Sequence, residues 1–377
     1  PPARRMRMRR TPLSDSHESA GARFTEFGGF EMPVQFDSIR TEHHAVRESA
    51  GRFDVSHMGE LLVSGPDAGN LVDRLTTRAV SALDPGRATY AMVTDEAGAI
   101  LDDVVVYRPP ETPPADAPAA DADFLVVPNA GHDEETAERF RSHREDWGLD
   151  ATVENATEAC ALLAVQGPDA VEAVADESPD GDAITGLSRF GATWATVGGA
   201  DCLVSRTGYT GEDGLELLCG WDDATAVWSA VDCTPCGLGA RDTLRIEMGF
   251  LLSGQDFDPE ENPRNPYEAG VEFAVDLDHE FVGQGALARV AEDGVAERFV
   301  GVVLDERAVP RHGHALRVDG ETVGQVTSGT MSPALEEPIG LGYLPVEHAD
   351  PETAVEVVVR GDPKSARVVA PPFLPGY

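Results

Sequence analysis

The spacing of apolar residues switches between two periods along the chain, and each switch marks an element. Ile39, His43 and Val46 share a face at helical spacing, Asp37 or Ser38 can cap that helix, and Gly51 ends it, so a helix is predicted over 37–50. A strand is expected over 60–63. The turn Gly65-Pro66-Asp67-Ala68 then opens a helix carrying Leu71, Val72 and Leu75, with Pro66 suited to its first turn. The same device recurs: Val63-Ser-Gly-Pro-Asp-Ala68 is matched by Val165-Gln-Gly-Pro-Asp-Ala170, again between an apolar run and a helical pattern. A third strand-to-helix passage covers 215–231. This repetition favours two similar α+β units over one doubly wound sheet.

Two β-branched runs, 101–107 and 123–128, read as a hairpin. Its loop is expanded by a proline- and acid-rich segment, 109–121, whose composition is unsuited to packing. Symmetric pairing would set Tyr107 opposite Phe124 and Asp102 opposite Asn129. A helix follows over 132–147 and stops at Gly148. From about 297 the helical period disappears, and short apolar runs alternate with turn signals such as Val318-Asp319-Gly320-Glu321 and Arg360-Gly361-Asp362. That region is expected to be a separate all-β domain, joined through an irregular, acidic stretch over 276–294.

Composition adds one unusual feature. Among 377 residues, 67 are acidic and 29 basic, a net charge of −38, and Lys364 is the only lysine. Such a field repels phosphate backbones and anionic lipid, which argues against nucleic-acid or membrane-surface binding. It matches adaptation to high salt, where screening over a few Å relieves self-repulsion. No apolar run is long enough to span a membrane, and the basic start is followed by Thr11-Pro-Leu-Ser-Asp15, where a signal peptide needs an apolar stretch. A cytoplasmic protein is expected, with translation starting at Met6 or Met8. The odd cysteine count, five, fits a reducing compartment, and Cys233-Thr-Pro-Cys236 has no second pair to complete a metal site. His43, His44, His312 and His314 are expected to be solvated.

Candidate chemistry gathers in four polar, glycine-rich segments: 54–58, 98–103, 208–216 and 236–242. Asp102 and Asp103 precede Val104-Val105-Val106, so one carboxylate must point to the apolar side of a strand. It would then need hydrogen bonds or a cation, or its pKa would rise; a turn aspartate capping loop amides is the plainer reading. Segment 208–214 lacks the Gly-Lys-Ser/Thr ending of a phosphate loop, and Gly237-Leu-Gly239 lacks the third glycine of a dinucleotide fingerprint. Arg241 falls in the first turn of a helix predicted over 240–248, where the dipole disfavours a cation. Either a bound anion or a carboxylate such as Asp242 or Glu247 would offset that cost.

Taken together, Phe53-Asp-Val-Ser-His-Met58, Ile100-Leu-Asp-Asp103, Val126-Val-Pro-Asn-Ala130, Ala164-Val-Gln-Gly-Pro168, Gly208-Tyr-Thr-Gly-Glu-Asp-Gly214 and Cys236-Gly-Leu-Gly-Ala-Arg-Asp-Thr-Leu-Arg245 resemble, in order and spacing, the T-protein family of the glycine cleavage system. The resemblance runs from Thr11 to Phe373 and includes Val326-Thr-Ser-Gly-Thr330. It implies an α+β fold: two ferredoxin-like folate-binding domains and a C-terminal β-barrel in a cloverleaf around a central channel. On this chain that means two interleaved α+β units over 11–295, with an acidic Pro/Ala loop at 108–123, and a barrel over 296–377.

The resemblance also implies roles. Asp102 matches the catalytic aspartate. Asn129, Glu216 and Tyr209 match positions around the pterin, Arg241 faces the folate tail, Met58 and Tyr90 match apolar channel positions, and Tyr377 matches a tail-contacting tyrosine. The implied reaction moves a methylene group from the aminomethylated lipoyl arm of H-protein to tetrahydrofolate and releases ammonia. Tetrahydrofolate is the one-carbon acceptor, lipoylated H-protein the partner, no metal is required, and a monomer is favoured. An Asp102 carboxylate would stabilise the positive charge that develops on the transferred carbon, and Glu216 could accept two parallel N–H bonds from the pterin.

The chain departs from the family at Phe30 and Phe273, where tryptophan is usual and packing is expected to be preserved. It departs again at Asp276 and Asp278, in a stretch that often carries lysine. Two other readings share the scaffold: a folate-dependent demethylase of a small methylated amine or sulfonium compound, and a non-catalytic folate-binding protein.

Overall fold

The computed structural model describes residues 8–115 and 117–376; Met6 and Tyr377 lie outside them. Strands Arg87–Thr94, Ile100–Arg108, Phe124–Val127, Leu61–Ser64 and Thr152–Asn155 form a five-stranded sheet in that spatial order. A six-stranded sheet has the order Ala192–Val197, Ala200–Ser205, Gly214–Gly220, Cys160–Gln166, Gly51–Asp54, Thr234–Cys236. Gly51–Asp54 comes from the first half of the chain but pairs with Cys160–Gln166, so the two α+β units interleave.

Strand alternation explains how the sheets pack. Leu162 and Ala164 join Tyr107, Leu125 and Val127 in a core between the two sheets. Ala161, Leu163 and Val165 point the other way, onto the helical side chains Val171, Val174, Val227 and Trp228. On the far side of the five-stranded sheet, Leu71, Val72, Leu75 and Phe140 pack on Val104, Val106, Phe124 and Val126. The chain then closes a six-stranded barrel between Glu297 and Val369, with Glu297–Leu304 pairing to both Pro338–Pro345 and Asp362–Val369. The expected α+β class and C-terminal barrel are both present.

Five expectations change. Tyr107 pairs with Leu125 rather than Phe124. Residues directly opposite must share a face, and Tyr107 and Leu125 both face the second sheet while Phe124 faces the helices. Continued, this register sets Asp103, not Asp102, opposite Asn129. The stretch 276–294 is not irregular throughout, because Gln284–Asp293 is a helix anchored by the fully buried Leu287. The proline-rich loop does pack: Ala117 and Ala119 are buried, and the Trp194 indole N–H donates to the Pro110 carbonyl at 2.9 Å.

His43 is not solvated. It is buried between two helices, with Nδ1 at 2.8 Å from the Thr243 hydroxyl and Nε2 at 3.3 Å from Glu247. Phe30 is fully buried, whereas Phe273 is 68 % exposed and its ring packs on Tyr90 rather than in a core.

Candidate active site

Asp102 is the third residue of the Ile100–Arg108 strand and is 2 % exposed, so it is the carboxylate of the pair that turns inward. Asn129 follows the neighbouring strand and holds it twice. The Asn129 backbone N–H donates to Oδ2 at 3.0 Å and its Nδ2 to Oδ1 at 2.8 Å. The same Nδ2 also lies 2.5 Å from Asp103 Oδ1, so one amide bridges two acids despite the shifted register. The Tyr90 hydroxyl donates to Asp103 Oδ2 at 2.7 Å. Burial, with the neighbouring Asp102 charge, pushes the Asp103 carboxyl up to about 6 against the opposing bonds from Tyr90 and Asn129.

His132 was not foreseen as part of this cluster. Its Nδ1 lies 3.2 Å from Asp102 Oδ1, and this contact raises the imidazole pKa above its ordinary value. The only sequence signal was its place three residues after Asn129, just ahead of the Asp133–Trp147 helix. Asn129 itself is set from below by the turn between strands Arg23–Phe27 and Phe30–Gln35. Gly28 there has φ +57°, and an added Cβ would stand 2.5 Å from the Ala130 Cβ. Only glycine allows that approach.

A second group lines the other sheet. Glu216, on Gly214–Gly220, accepts on Oε2 from the hydroxyls of Thr207 and, at 3.4 Å, Tyr107. Among the described residues its Oε1 accepts no hydrogen bond, and burial raises its pKa. The Tyr209 hydroxyl donates to the Leu251 carbonyl. The Arg241 guanidinium lies 4.3 Å from the Tyr209 ring centroid. Neither carboxylate proposed as a partner reaches Arg241: Asp242 pairs with Arg245 at 2.9 Å, and Glu247 pairs with Arg47 at 2.8 Å. Among the described residues neither of those two acids pairs with Arg241, although the charges of Glu216 and Asp242 both act on it. Arg241 also borders a cavity of about 230 Å³ shared with Glu26, Phe27, Tyr209, Asp242 and Gln255.

The two groups sense each other. Burial pushes the Tyr209 hydroxyl up, Arg245 and Arg241 oppose it, and Asp103 adds to it. Met58 is half-buried against the core between the sheets, and Tyr90 stacks on Phe273 at 6.0 Å between centroids. Beside them His57 is fully buried, and neither ring nitrogen has a hydrogen-bond partner among the described residues. Burial and the Arg241 charge lower its pKa to about 3, so it stays neutral. Burial also keeps the Cys233 and Cys236 thiols protonated at neutral pH, the former pushed up to about 11. Tyr377 lies outside the described residues.

A larger cleft of about 570 Å³ lies on the barrel, lined by Arg307, Arg311, His314, Arg360 and Lys364 together with Glu306 and Asp362. It concentrates basic side chains, including the chain's only lysine, on an otherwise acidic protein.

The chain thus joins an interleaved α+β body to a C-terminal barrel, with the Asp102–Asn129 pair on one sheet and a second acid, Glu216, on the other. The family model described as GCVT N-terminal domain matches residues 13–279, and that described as glycine cleavage T-protein C-terminal barrel domain matches 297–374. A probable aminomethyltransferase of Natronomonas pharaonis is 59 % identical over 368 residues, covering 98 % of this chain and 99 % of the relative. The aminomethyltransferase of Rubrobacter xylanophilus is 46 % identical, covering 97 % and 94 %. The crystal structure of the glycine cleavage system aminomethyltransferase T from Bartonella henselae superposes with a TM-score of 0.87 at 29 % identity, covering 98 % of each chain. The chain belongs to the glycine cleavage T-protein family and is an aminomethyltransferase.

Proposed function

We propose that this enzyme transfers a methylene group from the aminomethylated lipoyl arm of H-protein to tetrahydrofolate, releasing ammonia. The observation that carries the reading is Asp102, 2 % exposed and fixed by two bonds from Asn129. In the overall change the transferred carbon loses its bonds to sulfur and to the amine nitrogen and gains bonds to the two folate nitrogens. Those nitrogens release two protons; one goes to the sulfur and the other to the departing ammonia. Positive charge develops on the carbon as its first bond breaks.

A carboxylate already held in place stabilises that charge without reorganising, and it orients the incoming nitrogen. Asn129 supplies the preorganisation, while His132 stands within reach of the same carboxylate for proton movement. Glu216 offers Oε1 to the donor edge of the pterin, with Thr207 and Tyr107 locking Oε2. Arg241, with no side-chain hydrogen bond among the described residues, takes the anionic tail. Met58 and Tyr90 flank the ring system. The acid-rich surface serves solvation in high salt, and the basic cleft on the barrel suits docking of an acidic carrier.

The direct test is to incubate the protein with aminomethylated H-protein and tetrahydrofolate and to measure ammonia and 5,10-methylenetetrahydrofolate together. Equal yields of both support the reading. Turnover of a free methylated amine without H-protein would replace it with the demethylase reading.

A further inference from the structure

Asp256 lies in the turn leaving the Leu238–Met248 helix and is fully buried, with four donors around its carboxylate. Oδ2 accepts from Arg245 at 2.7 Å and from the Leu252 backbone N–H at 2.9 Å. Oδ1 accepts from the hydroxyls of Thr327 at 2.5 Å and Ser328 at 2.9 Å. A buried carboxylate needs its lone pairs filled, and these donors come from three separate elements: the helix, the turn, and the barrel strand Glu321–Met331.

The turn so fixed leads to the site. Arg245 also donates to the Phe250 carbonyl at 3.2 Å, so Leu251 is pinned on both sides, through Phe250 and through Leu252. The Leu251 carbonyl is the acceptor for the Tyr209 hydroxyl, and the Tyr209 ring carries Arg241 at 4.3 Å. Arg241 has no side-chain hydrogen bond among the described residues, so its placement depends on that ring. The barrel is already held to the body by other means. Ile246 packs on Val303, Ile339 and Leu341, and Glu247 accepts from the Ser332 hydroxyl at 2.5 Å. Asp256 adds to that attachment, and it does so close to Tyr209, on which its charge and that of Arg245 both act.

We propose that Asp256 is a positioning residue through which the barrel sets the Tyr209–Arg241 pair for the anionic tail of the acceptor. The inference rests on the reading of Arg241 as the tail contact. On this reading the barrel acts on the site through contacts remote from Asp102: a displaced barrel strand moves the Leu251 carbonyl, the Tyr209 ring tilts, and Arg241 follows.

Calorimetry of tetrahydrofolate binding to the full-length protein, run alongside turnover with saturating aminomethylated H-protein, tests this. Thr327→Val removes one barrel donor and leaves the Arg245–Asp256 ion pair; Asp256→Asn removes the charge. The Kd and KM for tetrahydrofolate are expected to rise about threefold in the first and about tenfold in the second, with kcat at saturation and the KM for the carrier within about twofold of wild type. Tyr209→Phe, which cuts the link to Leu251 without touching the Asp256 cluster, is expected to weaken tetrahydrofolate binding similarly at an unchanged melting temperature. Unaltered tetrahydrofolate affinity in folded Asp256→Asn protein would overturn the proposal. So would parallel losses in tetrahydrofolate affinity, carrier KM and kcat with a lowered melting temperature, because a merely structural role predicts that pattern. Wild-type protein that binds tetrahydrofolate but transfers nothing from H-protein would overturn the reaction proposed above and leave the calorimetric comparison standing.

Discussion

Replacing Asp102 by asparagine keeps the shape of the side chain and removes its charge. In the native site both carboxylate oxygens accept from Asn129, at 3.0 and 2.8 Å, and Oδ1 also faces His132 at 3.2 Å. An amide has one acceptor oxygen, so its NH2 group must confront an Asn129 donor or turn away. Two costs follow. A full charge pair at about 4 Å and an effective dielectric near 20 is worth about 4 kcal/mol, so half-developed charge in the transition state loses about 2 kcal/mol. The mismatched hydrogen bond adds about 1–2 kcal/mol, for a total of about 3–4 kcal/mol and a fall in kcat of about 10²–10³-fold.

Tetrahydrofolate affinity, which depends on Glu216 and Arg241, is expected to change less than about threefold. The His132 imidazole, relieved of the Asp102 contact that raises it, titrates at lower pH in the variant, readable by NMR. Ammonia release under saturating substrates is the assay. Asp102→Asn turnover within about threefold of wild type, with normal tetrahydrofolate binding, would refute the electrostatic role.

Four further outcomes are expected. Since the Asp103 carboxyl is raised to about 6, it accepts the Tyr90 hydroxyl bond as an anion only above that pH; tetrahydrofolate binding should rise through an inflection near 6 that Asp103→Asn abolishes. The folded state also holds more protons than the unfolded chain between about pH 4 and that inflection, so this group's contribution to stability falls as pH rises through the window. Gly28→Ala drives a methyl to within 2.5 Å of the Ala130 Cβ, and a loss of turnover larger than any loss of melting temperature would show that the damage reaches Asn129. Asp54 is fully buried and accepts from Thr11 at 2.6 Å and His17 at 2.9 Å, so Asp54→Ala should cost about 3–5 kcal/mol in denaturant unfolding by stranding both partners. Lastly, Arg307→Glu with Arg360→Glu in the barrel cleft should slow association with an acidic lipoyl carrier, more strongly as salt is lowered; salt-independent association in both proteins would exclude the cleft as the docking face.

Much of the architecture was legible in the residue pattern because it is local. Gly-Pro-Asp turns start helices wherever they occur, Gly148 and Gly249 end helices in left-handed conformation, and tightly spaced turn signals mark barrel strands. The chemistry-bearing motifs were legible for the same reason. Asp102, Asn129, Glu216 and Arg241 each sit in a short segment whose composition departs from its surroundings.

Tertiary structure decided what depends on distant residues. Strand parity across the two sheets set Tyr107 against Leu125, and the reach of one amide, not the register, joined Asn129 to Asp102. Helix packing turned His43 from an expected surface residue into a buried partner of Thr243, 200 positions away in the chain. That neither Asp242 nor Glu247 pairs with Arg241 among the described residues could not be read from the sequence, because only the folded chain shows the two acids paired with Arg245 and Arg47. Periodicity along a chain reports which face a residue occupies. Which partner fills each buried lone pair is settled where elements far apart in sequence meet, and in this protein those meetings build the site.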